Sequence, residues 1–206
     1  MGAGKTCIGR HLAARFALPF VDADAEIEAA AQMSIPDIFE AHGEAAFRDG
    51  ERRVIARLLR GEPHVLATGG GAFMNERTRA VIKQRAISVW LRANLDLLVR
   101  RTAKRNHRPL LRHGNPRDTL RRLQQERDPF YAEADIVVDS RDAPPEVTVD
   151  ALEAALKDFV ARNDPGPPLD GAPCDDAATT DGEARPGDEA GGEGLYPAHT
   201  SRKATS

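Results

Sequence analysis

Residues Gly2-Ala3-Gly4-Lys5-Thr6 are the closing part of the pattern G-x-x-x-x-G-K-[ST], whose first glycine falls upstream of Met1. In a complete loop of this kind, backbone N–H groups and the N-terminus of the next helix cradle phosphates. The lysine reaches the β- and γ-phosphates, and the threonine hydroxyl ligates Mg2+. Glycine is required because the backbone itself touches the anion. Ile8, Leu12 and Phe16 follow at helical spacing, the context the motif needs. Gly2, Ala3, Gly4, Lys5 and Thr6 are therefore candidate ATP contacts, with Thr6 also a candidate metal ligand. Such a loop normally hangs from the carboxyl end of a buried central strand, and the expectation is that a start assigned too late has removed it. Were the strand truly absent, exposed strand edges and buried faces would weaken both folding and ATP binding. A glycine-rich helix entry that holds no nucleotide is the bland alternative.

With 206 residues, the chain has room for one ordinary domain and an appendage. The 44 residues from Asn163 to Ser206 contain 13 glycines or prolines, with only Leu169 and Leu195 from the large aliphatics. Such a stretch cannot offset its ordering entropy by burial, so residues 163–206 read as a disordered acidic tail and 1–162 as the folded domain. Setting aside the tail's nine acids and three bases leaves 23 acids and 26 bases in the domain. That small excess argues for no nucleic-acid surface. No apolar run approaches a membrane span and no signal peptide is visible, so a cytoplasmic protein is expected. Cys7 and Cys174 have no paired spacing and read as reduced thiols. His11, His42, His64, His107 and His113 lack metal-ligand spacing. With no sustained heptad or apolar stripe, a monomer is expected.

Strands are expected near Pro19–Asp24, His64–Thr68, Ala86–Leu91 and Asp135–Asp139. Helices are expected over 5–17, 24–32, 35–42, 44–60, 75–84, 94–103, 117–132 and 147–160. This alternation predicts an α/β fold, a parallel sheet with helices on both faces. Such sheets bind ligands at the carboxyl ends of their strands. Asp22, Asp24, the Gly69-Gly70-Gly71 triplet and the phosphate loop all fall there. Asp22 and Asp24, two apart on a strand, should point the same way. Between Lys104 and Pro116 the chain is basic, punctuated by glycine and proline and without periodicity, as in a mobile loop.

The order GAGKT, Asp-x-Asp, Phe-Arg, Gly-Gly-Gly, Arg-Pro-Leu-Leu and Arg-x-Pro-x-Tyr resembles the shikimate kinase family, of the nucleoside-monophosphate-kinase-like branch of P-loop kinases. Each motif alone is weak, but their joint order is specific. The likeness covers residues 1 to about 160 and misses only the first strand. It implies that Asp22 helps hold Mg2+ through water. It also implies that Asp24 binds a shikimate hydroxyl and accepts its proton. Arg48 and Arg127 match the arginines that grip the shikimate carboxylate, which guanidinium groups do bidentately. Gly69, Gly70 and Gly71 would lie against the shikimate ring. Arg108, in the basic loop, would close as a lid onto the transferring phosphate, and Arg101 would stack on adenine. Lys104, Arg105, Arg112 and Arg117 would supply a general positive field.

The resemblance thus implies ATP-dependent, Mg2+-assisted phosphorylation of shikimate to shikimate 3-phosphate, a step of chorismate and aromatic amino-acid biosynthesis. Gluconate kinase or a related small-molecule P-loop kinase is the enzyme alternative. A catalytically impaired nucleotide-binding protein is the alternative from another class.

Overall fold

The computed structural model describes residues 2–103 and 115–163. The expected lid residues Lys104, Arg105, Arg108 and Arg112, and the expected tail beyond Asn163, lie outside the described residues. The order is α1 (Lys5–Arg15), β1 (Phe20–Asp22), α2 (Ala23–Ala31), α3 (Ile35–Leu58), β2 (Val65–Ala67) and a short 3-10 turn (Ala72–Met74). Then come α4 (Glu76–Arg85), β3 (Val89–Arg92), α5 (Leu95–Ala103), α6 (Pro116–Tyr131), β4 (Ile136–Asp139) and α7 (Pro145–Asn163).

Local chemistry explains the boundaries. Asp22, Ser34, Asn75 and Asn115 each cap a helix, accepting the N–H of Asp24, Asp37, Thr78 and Arg117 respectively. Pro36 and Pro116 sit in first turns, where a missing N–H costs nothing. α3 is two helical segments meeting at Gly43, whose φ of 77° and ψ of 174° are non-helical, so the expected division there holds. β3 is shorter than the expected Ala86–Leu91. Before it, Ser88 donates through N and Oγ to Asp135 Oδ2 at 2.8 and 2.6 Å, a bracket that stands just ahead of the bond from Ile136 N to the Ser88 carbonyl at 3.0 Å.

β1 pairs with β2 and β3 with β4, both in parallel, with Asp22 opposite Ala67 and Arg92 opposite Asp139. Among the described residues these are two two-stranded sheets rather than one continuous sheet. Helices cover both faces, as expected. On one side α1 and α7 bury Ile8, Leu12, Val149 and Leu152 against Ile136 and Val138. Gly9 lets α1 lie on β1, since a Cβ there would stand 2.8 Å from Phe20 Cε2. On the other side Ala23, Ile55, Ala72 and Ile82 form a cluster to which Leu66 is added.

Between the two sheets runs a largely apolar cavity of about 1010 Å³. It reaches from Gly69, Gly70 and Arg127 at one end to Phe16, Leu18 and Val160 at the other. The parallel strands place their carboxyl ends together, so Asp22, the glycine triplet and Ser140 share one rim of the molecule. Ser140 Oγ reaches the Ala3 carbonyl at 3.1 Å, which brings the phosphate loop to the same rim.

Candidate active site

The nucleotide side is built mainly from backbone. Gly2 (φ 77°) and Gly4 (φ 95°) adopt left-handed conformations that side chains resist, and Gly4 is the N-cap of α1. A glycine cap offers no side-chain acceptor, which suits a helix start that receives an anion. Arg101 braces this loop: its Nη1 donates to the Ala3 carbonyl at 3.3 Å and to Ser140 Oγ at 2.8 Å, and its Nη2 to the Arg141 carbonyl at 2.7 Å. Thr6 Oγ1 stands 3.5 Å from Asp22 Oδ2. A hydroxyl and a carboxylate oxygen at the mouth of a phosphate loop suit a hard divalent cation that keeps most of its waters.

The acceptor side is built from side chains that converge on the glycine triplet. None of its three residues has positive φ, so space rather than backbone freedom explains the glycines. A Cβ on Gly69 would meet Asp24 Oδ1 at 2.9 Å and Glu51 Oε1 at 3.1 Å. One on Gly70 would meet Arg127 Nη1 at 2.9 Å, and one on Gly71 would press within 2.6 Å of Arg48 Cζ. Each glycine therefore makes room for a different expected site residue. Arg127 Nη1 donates to the Gly70 carbonyl at 3.2 Å, and the Tyr131 hydroxyl donates to the same oxygen. Tyr131 is in turn held between Phe73 and Trp90, with ring centroids at 6.4 and 5.9 Å.

Glu51 is 2% exposed and takes Arg48 Nη1 at 2.7 Å, which fixes the guanidinium over Gly71. Burial pushes the Glu51 carboxyl above its ordinary range, and the Arg48 charge opposes that rise. Asp24 is also raised, first by burial and then by the Asp22 charge, with Lys5 and Arg48 pulling it back. A carboxylate so raised holds a proton more readily than an exposed one.

The expected geometry of the two aspartates needs correction. Asp24 does not lie on the strand: β1 ends at Asp22, and Asp24 sits in the first turn of α2. The two carboxylates divide the work because Asp22 Oδ1 caps Asp24 N at 3.1 Å, leaving Asp24 to face Gly69. Asp24, Arg48, Arg127 and Gly69–Gly71 come together as expected; Arg108 lies outside the described residues. Glu51 was missed, although its spacing of three from Arg48 on one helix was a legible pairing signal. Tyr131 was noticed only as a motif letter.

The family model described as shikimate kinase matches residues 1–157. This chain belongs to the shikimate kinase family. A shikimate kinase of Rhodopseudomonas palustris is 57% identical over 167 residues, covering 81% of this chain and 82% of that protein. The structure of a shikimate kinase from Acinetobacter baumannii in complex with shikimate aligns with a TM-score of 0.71 at 39% identity, over 79% of this chain and 90% of that one. A gluconokinase from Sinorhizobium meliloti shares the fold, with a TM-score of 0.53 at 17% identity, over 79% of this chain and 90% of that one. Family membership thus favours shikimate kinase over the gluconate alternative.

Proposed function

We propose that this chain transfers the γ-phosphoryl group of ATP to a ring hydroxyl of shikimate, giving shikimate 3-phosphate for chorismate and aromatic amino-acid biosynthesis. The carrying observation is that three successive glycines make room for Asp24, Arg127 and Arg48, on the rim that also carries the phosphate loop. Phosphoryl transfer depends on alignment and charge neutralisation more than on covalent help from the protein. Arg48, beside Gly71, and Arg127, beside Gly70, grip the shikimate carboxylate. Asp24 then orients the reacting hydroxyl and takes its proton.

Gly2, Ala3 and Gly4 hold the phosphates through backbone N–H groups, Lys5 bridges toward the transferring group, and Arg101 borders the adenine. Arg108, outside the described residues, completes charge neutralisation on the transferring phosphate. Thr6, and Asp22 through water, would hold Mg2+, which when bound neutralises charge between the phosphates. The catalytic unit is residues 1–162, acting as a monomer in the cytoplasm. Among the described residues no helix is long and apolar enough to cross a membrane. Deleting 163–206 should leave turnover unchanged.

A coupled ADP-release assay across shikimate, gluconate and nucleoside monophosphates tests the assignment. Shikimate should stimulate ADP release and the others should not; turnover of gluconate alone would overturn it.

A further inference from the structure

The 3-10 turn Ala72–Met74 continues directly from the glycine triplet: Ala72 N donates to the Gly69 carbonyl at 3.3 Å, and Met74 N to the Gly71 carbonyl at 3.0 Å. At Asn75 the backbone becomes extended and α4 begins, and carbonyls at such a junction have no intrahelical partner. Arg79 serves two of them. Side chains of a helix lean toward its N-terminus, so from the first turns of α4 this one reaches back over the junction. Its Nη1 donates to the Phe73 and Met74 carbonyls, each at 3.0 Å.

The same guanidinium is fastened to the end of α6 and the residues just past it. Its Cζ lies 5.0 Å from the centre of the Phe130 ring, and its Nε stands 3.3 Å from Glu133 Oε2. Lys83 Nζ steadies that carboxylate at 3.1 Å. The Arg79 side chain is only 11% exposed, so its charge is held by these partners more than by water. Farther back on α6, Arg127 and Tyr131 both donate to the Gly70 carbonyl. Residues 69–74 are therefore pinned to the α6 region at two points, Gly70 and the Phe73–Met74 pair. One pin would leave a pivot, whereas two fix a direction.

We infer that Arg79 is a positioning residue for the acceptor: it locks the direction of the glycine triplet and so sets Gly71, beside Arg48, relative to Gly70, beside Arg127. This rests on the shikimate reading above, in which those two guanidinium groups share one carboxylate. Such sharing between groups on different helices tolerates little displacement. Arg79 acts through the turn. Lysine is no equivalent, because it lacks both the fork and the flat face that covers Phe130.

The test compares the full chain with Arg79→Lys, Arg79→Met and, as a control, Val149→Ala. Val149 is 1% exposed in the cluster between α7 and β4, so truncating it removes stability away from the triplet. Arg79→Lys should raise the shikimate KM about tenfold and Arg79→Met about 30-fold, with kcat and the ATP KM within about twofold of the parent. Arg79→Lys keeps the charge, so the comparison survives if Arg79→Met does not fold. Val149→Ala should lower the thermal midpoint by about 5 °C and move neither KM. Amide exchange, read without substrate, should quicken about tenfold at Ala72–Met74 in Arg79→Lys and stay unchanged at residues 2–6. An unchanged shikimate KM in Arg79→Lys, a rise that Val149→Ala matches, or an equal rise in the ATP KM would overturn the inference. A parent chain that releases no ADP with shikimate defeats the substrate assignment instead, while quickened exchange at Ala72–Met74 still supports the two-point pinning.

Discussion

The two halves of the catalytic rim are held by different means. On the acceptor side, Asp24, Arg48, Glu51, Arg127 and Tyr131 come from α2, α3 and α6 and interlock around three glycines through contacts already made. On the nucleotide side the loop is a backbone turn, tied by Arg101 and Ser140 to the end of β4 and bordering the cavity between the sheets. The acceptor pocket is thus organised before any ligand arrives. The phosphate loop takes its position from Arg101 and Ser140. Side chains buried against one another hold their geometry locally, whereas a turn inherits its position from the elements it joins.

Substitutions on the two sides should separate cleanly. Lys5→Ala, on the nucleotide side, should lower kcat about 1,000-fold and barely move the shikimate KM, because its charge acts on the transferring phosphate. Arg48→Ala should instead raise the shikimate KM by about 100-fold with the ATP KM nearly unchanged, as expected for a lost bidentate charge contact. Gly71→Ala, which drives a methyl into the Arg48 guanidinium, should mimic it. Equal effects of Arg48→Ala on both KM values would break the distinction between the halves.

Smaller changes sharpen it. Tyr131→Phe removes one of the two donors to the Gly70 carbonyl, and about a fivefold rise in shikimate KM is expected, measured against an unchanged ATP KM. Asp24→Asn tests the electrostatics through stability. Because the folded protein raises the Asp24 carboxyl, the fold favours its neutral form. That preference is fully expressed below the ordinary carboxylate range and is lost as pH rises through the raised value. At neutral pH the charged Asp24 therefore destabilises, and Asp24→Asn should raise the thermal midpoint by about 2–4 °C. Calorimetry should find that gain vanishing below about pH 4.

Much of the site was legible because its residues carry chemistry in fixed local spacing: Lys5 and Thr6 after glycines, and Arg48 and Arg127 inside short motifs. Periodicity located the helices and two of the strands closely, since apolar faces repeat along the chain. It carried β1 past its end at Asp22 and began β3 too early, at Ala86, where a Ser88–Asp135 side-chain bracket, invisible to periodicity, precedes the ladder. The positions of Asp22 and Asp24 on one strand were also misjudged, because an aspartate at a strand end can equally cap the next helix.

By itself the sequence determined the elements, the phosphate loop and the family, all of which depend on neighbouring residues along the chain. Only the tertiary structure decided why three glycines stand in a row, that Glu51 holds Arg48, and that a cavity separates two sheets. Those facts concern space between segments distant in the chain, and no local pattern records which volumes packing leaves occupied or open.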